Sequence, residues 1–362
     1  MAELLKNTLF TQTTIRKFAD KIKNVYPQFD ENKFLSKVYV KEWDEKELKE
    51  KMRHLTNCLH DTLPENYEKA LNILLKISPD IRGFEGICLP DFVEMYGMEY
   101  WEKSLSALKE LTKYSSSEFA IRPYIIKDQQ KAMEYMLSLS TNENEHVRRF
   151  SSEGCRPRLP WAMALPPLKK DPLPIIPILE NLKADESEYV RKSVANNLND
   201  ISKDHPELVL NLCKQWQGHS KHSDWIIKRA CRGLLKAGHP DAMMLFGYKN
   251  TDEINIKNLT HKKSSLKIGD DLEFSFDLEI KSGSLSKLRI EYLIDFVKSN
   301  GKLSGKIFMI TENDFSKGSH TLRKKHSLQE RTTRKHYPGI HGLSIIVNGI
   351  EKAKTEFLLE SL

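Results

Sequence analysis

Two carboxylates could do chemistry: Asp200, in a row of small polar groups bordered by a cation, and Glu118, at the end of a serine-rich turn. From Val190 to Lys203, a step of about 100° per residue places Ser193, Asn196, Asn197 and Asp200 on one polar stripe. Lys192 borders that stripe, and Val190, Val194, Leu198 and Ile201 form the apolar stripe beside it. A solvated face normally carries Glu and Lys, so hydroxyl, amide and carboxylate in one row suggest a built surface. Asp200 beside Lys203 in a last turn remains the plain alternative. Glu118 ends Ser115-Ser-Ser-Glu118, the spacing of a helix capping box. Either it caps a helix beginning there, with Pro123 tolerated in the first turn, or it stands at the mouth of a cleft.

Between them lies Arg156-Pro-Arg158-Leu-Pro-Trp161-Ala162. Its prolines forbid helix continuation, so two guanidiniums and an indole sit on a stiffened loop. Guanidinium suits phosphate and an indole face suits a base or sugar, although a packed Trp with surface arginines would read the same way. Lys228, Arg229, Arg232 and Lys236 form another basic cluster, which a solvated face would also explain.

The elements that must hold these residues change character along the chain of 362 residues. Up to about Leu245 apolar residues recur at helical spacing, as in Glu45 to His60 and Tyr67 to Ile77. An apolar-then-basic signature recurs at Ile121-Arg122, Val147-Arg148-Arg149, Val190-Arg191-Lys192 and Ile227-Lys228-Arg229. Two of the three spacings are near 40, which fits stacked HEAT-like helix pairs. After Tyr248 the period becomes two, for example in Leu272 to Ile280, Leu288 to Phe296, Gly305 to Ile310, Gly342 to Val347 and Ala353 to Leu359. Turn signals at Lys281-Ser-Gly-Ser, Ser299-Asn-Gly301 and Asn348-Gly349 separate them. The expectation is an all-α HEAT-like solenoid over 1–248, followed by an all-β Ig-like sandwich of about seven short strands over 249–362. The boundary is expected near Lys249 to Ile256.

Composition removes several classes. Fifteen Phe, twelve Tyr and five Trp exclude a disordered chain. No apolar run approaches the roughly 20 residues of a membrane span, and no signal-peptide core follows Met1 to Lys6. Five scattered cysteines, with no CxxC, read as reduced thiols of a cytosolic protein. GxGxxG, GxxxxGK[ST] and HExxH are absent, and the pair His219 and His222 reads as solvated, so neither metal nor cofactor is expected. The net charge is +7, and the basic excess begins after residue 112, which favours a polyanionic partner. The densest basic run is Arg323-Lys324-Lys325-His326, with Arg331, Arg334 and Lys335 after it.

Several blocks resemble the AlkC family of DNA alkylation repair glycosylases. They are Ser115-Ser-Ser-Glu-Phe-Ala-Ile-Arg-Pro-Tyr124, Val147-Arg-Arg-Phe-Ser-Ser-Glu-Gly-Cys-Arg-Pro-Arg-Leu-Pro-Trp-Ala162 and Tyr189-Val-Arg-Lys-Ser-Val-Ala-Asn-Asn-Leu-Asn-Asp-Ile-Ser-Lys203. Gly238-His-Pro-Asp-Ala242 and Phe246-Gly-Tyr248 extend the match, and the β-rich tail resembles the Ig-like domain of one branch. The resemblance implies hydrolysis of the N-glycosidic bond of cationic alkylated bases, 3-methyladenine and 3-methylcytosine, in double-stranded DNA. It implies catalytic roles for Glu118 and Asp200. It also implies lesion or DNA contacts for Phe119, Arg149, Arg156, Arg158 and Trp161. Lys192, Asn196, Asn197, Lys228, Arg229 and Arg232 join that expected surface, in a monomer. A cationic base is already a good leaving group, so the protein need only stabilise positive charge growing on the sugar and place a water. A non-catalytic helical scaffold that binds nucleic acid or protein is the alternative.

Overall fold

A computed structural model describes residues 8–248, 251–330 and 335–361, with the side chains of 282–284 outside the description. Lys249, Arg331 and Arg334 fall outside the described residues, as does the segment Met1 to Lys6. The chain divides into two compact units. One comprises Met1–Val209 with Gln215–Ala230, the other Leu210–Lys214 with Cys231–Leu362.

The first unit is helical: α1 (Gln12–Val25), α2 (Glu31–Val38), α3 (Leu48–Thr62), α4 (Tyr67–Ile77), α5 (Cys88–Tyr96), α6 (Trp101–Leu111), α7 (Arg122–Lys127), α8 (Gln129–Leu139), α9 (Glu145–Gly154), α10 (Pro166–Lys170), α11 (Ile176–Leu182) and α12 (Glu188–Ile201). α13 (Pro206–Trp216) leads to α14 (Lys221–Ala230). Among the described residues, no helix is long and apolar enough to cross a membrane.

The helical repeat is visible in identical local chemistry. Before α9, Asn142 Oδ1 accepts from the Asn144 amide at 3.0 Å, and Asn144 caps the helix. Before α12, Asp185 Oδ1 accepts from the Ser187 amide at 2.9 Å, and Ser187 caps. Arg148 then reaches back to the carbonyls of Asn142 and Glu143, and Arg191 to those of Asp185 and Glu186. The arginine after each buried valine therefore ties its helix to the loop before it. Arg148 also grips Asp185 through two nitrogens at 2.6 and 3.0 Å, joining one repeat to the next. Val147, Val190 and Ile227 are buried, and α9, α12 and α14 pack in succession. The fourth expected member differs: Ile121 only precedes the short α7, and Arg122 turns inward.

The second unit holds α15 (Arg232–Lys236), α16 (Pro240–Leu245) and six strands among the described residues. These are β1 (Ile254–His261), β2 (Ser265–Lys267), β3 (Asp271–Val297), β4 (Leu303–Ser327), β5 (Gly339–Val347) and β6 (Ile350–Glu360). The expected two-sheet sandwich of short strands is corrected here. The strands form one sheet in the order β1-β3-β5-β6-β2, with β4 paired to β3. β4 covers one edge of β3 from Asp271 to Val297, and the other edge is shared between β1 and β5. What would have been two sheets is thus one sheet joined by a continuous strand. Lys281 to Ser284 is not a turn between strands but a register irregularity inside β3, where a long strand can bend. Side-chain parity survives it: Leu272, Phe274, Phe276, Leu278 and Ile280 face the core, as do Leu288, Ile290, Tyr292 and Ile294. The turn at Asn348-Gly349 does form, with positive φ at both residues, and Gly349 lies so close to Gly238 that a Cβ would overlap it.

One consequence concerns pH. His341 is fully buried against Phe357 and Phe296, and burial holds its pKa below the ordinary 6.5. The unfolded chain therefore takes the proton first as pH falls. Stability is intact above about pH 6.5 and is lost as pH drops from there through the folded-state pKa. Thermal unfolding of this unit should shift to lower temperature between pH 7.5 and 5.5, and His341→Gln should flatten that dependence.

Candidate functional site

Glu118 does not cap a helix. α7 begins at Arg122, with Pro123 in its first turn, and Glu118 sits in the turn before it. Its Oε2 accepts from Ser116 Oγ at 2.6 Å and from Arg149 Nη1 of α9, which also donates to Ser116 at 2.8 Å. Arg149 Nη2 lies 3.5 Å from Glu153 one turn on, and Arg156 Nη1 donates to the same Glu153 oxygen at 2.6 Å. The other Glu153 oxygen accepts from Ser193 of α12 at 2.6 Å. Arg156 then turns Nε and Nη2 to Asp200 Oδ2, both at 2.9 Å, and Lys203 Nζ donates to Asp200 Oδ1 at 3.1 Å. The result is one alternating row: Glu118, Arg149, Glu153, Arg156, Asp200, Lys203.

Each element supplies its part for a local reason. α9 carries Arg149 and Glu153 four apart on one face, and Cys155 at its end lets the chain turn so that Arg156 points back along the row. α12 presents Ser193 and Asp200 towards α9 because Val194 and Leu198 pack beside them. Burial pulls the Arg149 and Arg156 guanidiniums down, but the adjoining carboxylates more than offset it, and both end above the ordinary range. Tyr189 lies under Arg149, 4.9 Å from ring centroid to guanidinium carbon. Beside Glu118 opens a cleft of about 240 Å³, walled by Phe84, Tyr114, Phe119, His146 and Tyr189.

The expected residues divide. The structure brings Glu118, Arg149, Arg156 and Asp200 into one row. Phe119 and Trp161 share a small apolar cavity next to it. Arg158 forks onto Asp204, with both side chains about one-third exposed. Asn197 is corrected from a DNA-facing amide to a packing residue: it is fully buried and donates to the Ser152 carbonyl at 2.8 Å. Asn196 is half-buried on the same helix. Lys192 is exposed and paired with Glu188 on its own helix. Lys228 and Arg229 are exposed on α14, where the Arg229 guanidinium covers Trp225, and Arg232 lies in the second unit. Among the described residues no group of His, Cys, Asp and Glu could hold a metal.

Sequence reasoning missed Glu153 and Arg122 among the residues that build the row and its loop. Glu153 is the central carboxylate of the row, hidden because Glu among arginines at helical spacing reads as surface pairing. Arg122 read as one more repeat signature. It is fully buried and donates to the carbonyls of Met163 at 2.7 Å, Arg156 at 2.9 Å and Gly154 at 3.1 Å, so it shapes the 156–163 loop from beneath. Burial pulls its pKa down to about 10.

Residues 112–234 match the family model described as DNA alkylation repair enzyme, and 255–361 match the C-terminal Ig-like domain of the uncharacterised protein YhaZ. The chain is 48% identical to the uncharacterized protein YhaZ of Bacillus subtilis, over 99% of both chains. The solved structure of Pseudomonas fluorescens alkylpurine DNA glycosylase AlkC, bound to DNA containing an abasic site analog, is 38% identical. It superposes with a TM-score of 0.94, covering 98% of this chain and 99% of that one. The chain belongs to the AlkC family of DNA alkylation repair proteins. Residues 255–361 correspond to the Ig-like domain of the YhaZ-like branch, and their described strands form one sheet.

Arg122→Met leaves the buried carbonyls of Gly154 and Arg156 without this donor, at roughly 1–3 kcal/mol each, and frees the partly buried carbonyl of Met163. Urea unfolding should show a loss of about 3 kcal/mol or more. Lys at the same place should restore little, because a single ammonium cannot reproduce the fork.

Proposed function

We propose that the protein is a metal-independent, monofunctional DNA glycosylase. It hydrolyses the N-glycosidic bond of cationic methylated bases such as 3-methyladenine and 3-methylcytosine, acting as a monomer on duplex DNA. The observation that carries this reading is the row itself: three carboxylates held at fixed positions by guanidiniums, with aromatic walls beside the first. The helical part, 1–248, is the catalytic and DNA-binding part on this account, and 249–362 adds an auxiliary grip.

The chemistry follows from charge. The C1′–N bond breaks with its electron pair going to the base, which leaves neutral, so no general acid is needed. Positive charge grows on the deoxyribose, and the carboxylates of Glu118 and Asp200 stabilise it. A water adds to C1′ and gives its proton to one of them, leaving an abasic sugar. Glu153 keeps Arg149 and Arg156 in place, and these hold the outer two carboxylates against mutual repulsion. Phe119 and Trp161 offer rings to the nucleotide, while Arg158, Lys228 and Arg229 supply positive charge for phosphates.

On the second unit a groove of about 480 Å³ is lined by Lys262, Arg323, Lys324 and Lys325 together with Glu273, and Lys262 pairs with Glu273 and Lys325 with Asp271. The basic run lies on β4, not on a loop, so its cations are held at strand spacing. Duplex backbone is the partner we assign to it.

Free methylated base released in EDTA should fall about 10²–10⁴-fold in Glu118→Gln and in Asp200→Asn, with duplex binding retained. DNA binding without release by the wild-type protein would favour a scaffold instead. Separately, Lys324→Glu with Lys325→Glu should weaken duplex binding and lower the slope of log affinity against log salt by about 2.

A further inference from the structure

Trp161 is the one residue of the site whose backbone is strained. Its φ is +67°, in the left-handed region, while its indole stays about half exposed. A bulky side chain holds such a conformation only where its surroundings impose it. Three contacts do so. From beneath, Arg122 takes the Met163 carbonyl. Within the loop, the Leu165 amide donates to the Pro157 carbonyl at 3.2 Å. From 112 residues away, Lys49 on α3 donates to the carbonyl of Trp161 itself at 2.6 Å.

Lys49 has a second role in the same place. Its ammonium lies 5.8 Å from the centre of the Phe119 ring, and Phe119 follows Glu118 directly. Phe119 and Trp161 also line one apolar cavity with Phe10, Met52, Phe84 and Ile87, contributed by the first ninety residues. One exposed lysine thus reaches both aromatic residues flanking the carboxylate row.

We propose that Lys49 is a positioning residue of the site: it holds Trp161 in its left-handed conformation and so presents the indole to DNA. This rests on the glycosylase reading for its functional part, but not for its structural part. The N-terminal helices then do more than extend the solenoid, because they supply the clamp that fixes an aromatic contact. Removing the ammonium frees the carbonyl, lets φ relax and disperses the indole among other orientations. The cost falls on binding of the lesion duplex rather than on bond cleavage once bound.

The test compares wild type, Lys49→Met, Lys49→Arg and Trp161→Gly on duplex DNA carrying methylated bases. Lys49→Met should raise KM about tenfold and change kcat less than threefold, and Lys49→Arg should restore most of the loss because it also donates to a carbonyl. In the Trp161→Gly background, Lys49→Met should change KM no further. The second readout needs no turnover. The fluorescence anisotropy of Trp161, taken as the difference between each protein and its Trp161→Phe counterpart, should drop in Lys49→Met and recover in Lys49→Arg. Unchanged KM and unchanged anisotropy in Lys49→Met would overturn the proposal, as would additive losses in the double variant. A wild-type protein that releases no base would sink the glycosylase reading alone, since the anisotropy arm would still decide whether Lys49 fixes Trp161.

Discussion

A buried carboxylate is costly unless a cation accompanies it; here Glu153 and Asp200 are buried and Glu118 is partly buried in the same row, so cations must stand between them. The alternation Glu118, Arg149, Glu153, Arg156, Asp200, Lys203 meets that constraint, and much of the helical unit is arranged to satisfy it. α9 must run beside α12 so that Ser193 reaches Glu153 and Arg156 reaches Asp200. The chain must break after Cys155 so that Arg156 turns back. The repeat arginines Arg148 and Arg191 fix both helices to their loops, so the row inherits its register from the solenoid.

Sequence patterning exposed the ends of this row better than its middle. Asp200 was legible because Ser, Asn and Asp on one helical face are unlike a solvated stripe. The same pattern misled at Asn197, since periodicity cannot separate a face turned to a ligand from one turned to a neighbouring helix. Glu153 was hidden by its spacing from Arg149 and Arg156, which is that of an ordinary surface pair. Lys49 carried no signal at all, because a contact across 112 residues leaves no local trace. In the second unit the alternating residues of β3 were read correctly, but Lys281-Ser-Gly-Ser was read as a turn. Those residues favour a bend, and the sheet uses them to curl one strand rather than to end it. That single difference separates two packed sheets from one continuous sheet.

The stiffened loop from Arg156 to Met163 links the charged row to the aromatic residues. Its first arginine bridges two carboxylates, its second faces Asp204, and its tryptophan stands strained at the surface. Arg122 beneath and Lys49 beside it oppose the relaxation that the backbone would otherwise favour. Strain of this kind, of order 1–3 kcal/mol, persists where the surrounding structure over-determines a conformation. The pairing of carboxylates held in place by cations with a held aromatic surface suits a reaction in which positive charge develops and nothing must be protonated.

The central claim is that the leaving base brings its own charge, so that fixed carboxylates suffice. The direct measurement is single-turnover release, in EDTA, from two duplexes alike except at one base: one carries a cationic methylated base, the other a neutral alkylated base. The account predicts release of the cationic base alone, with a rate that does not call for an acid as pH rises above neutrality. Equal release of the neutral base, or a rate that collapses as pH rises above neutrality, would contradict it.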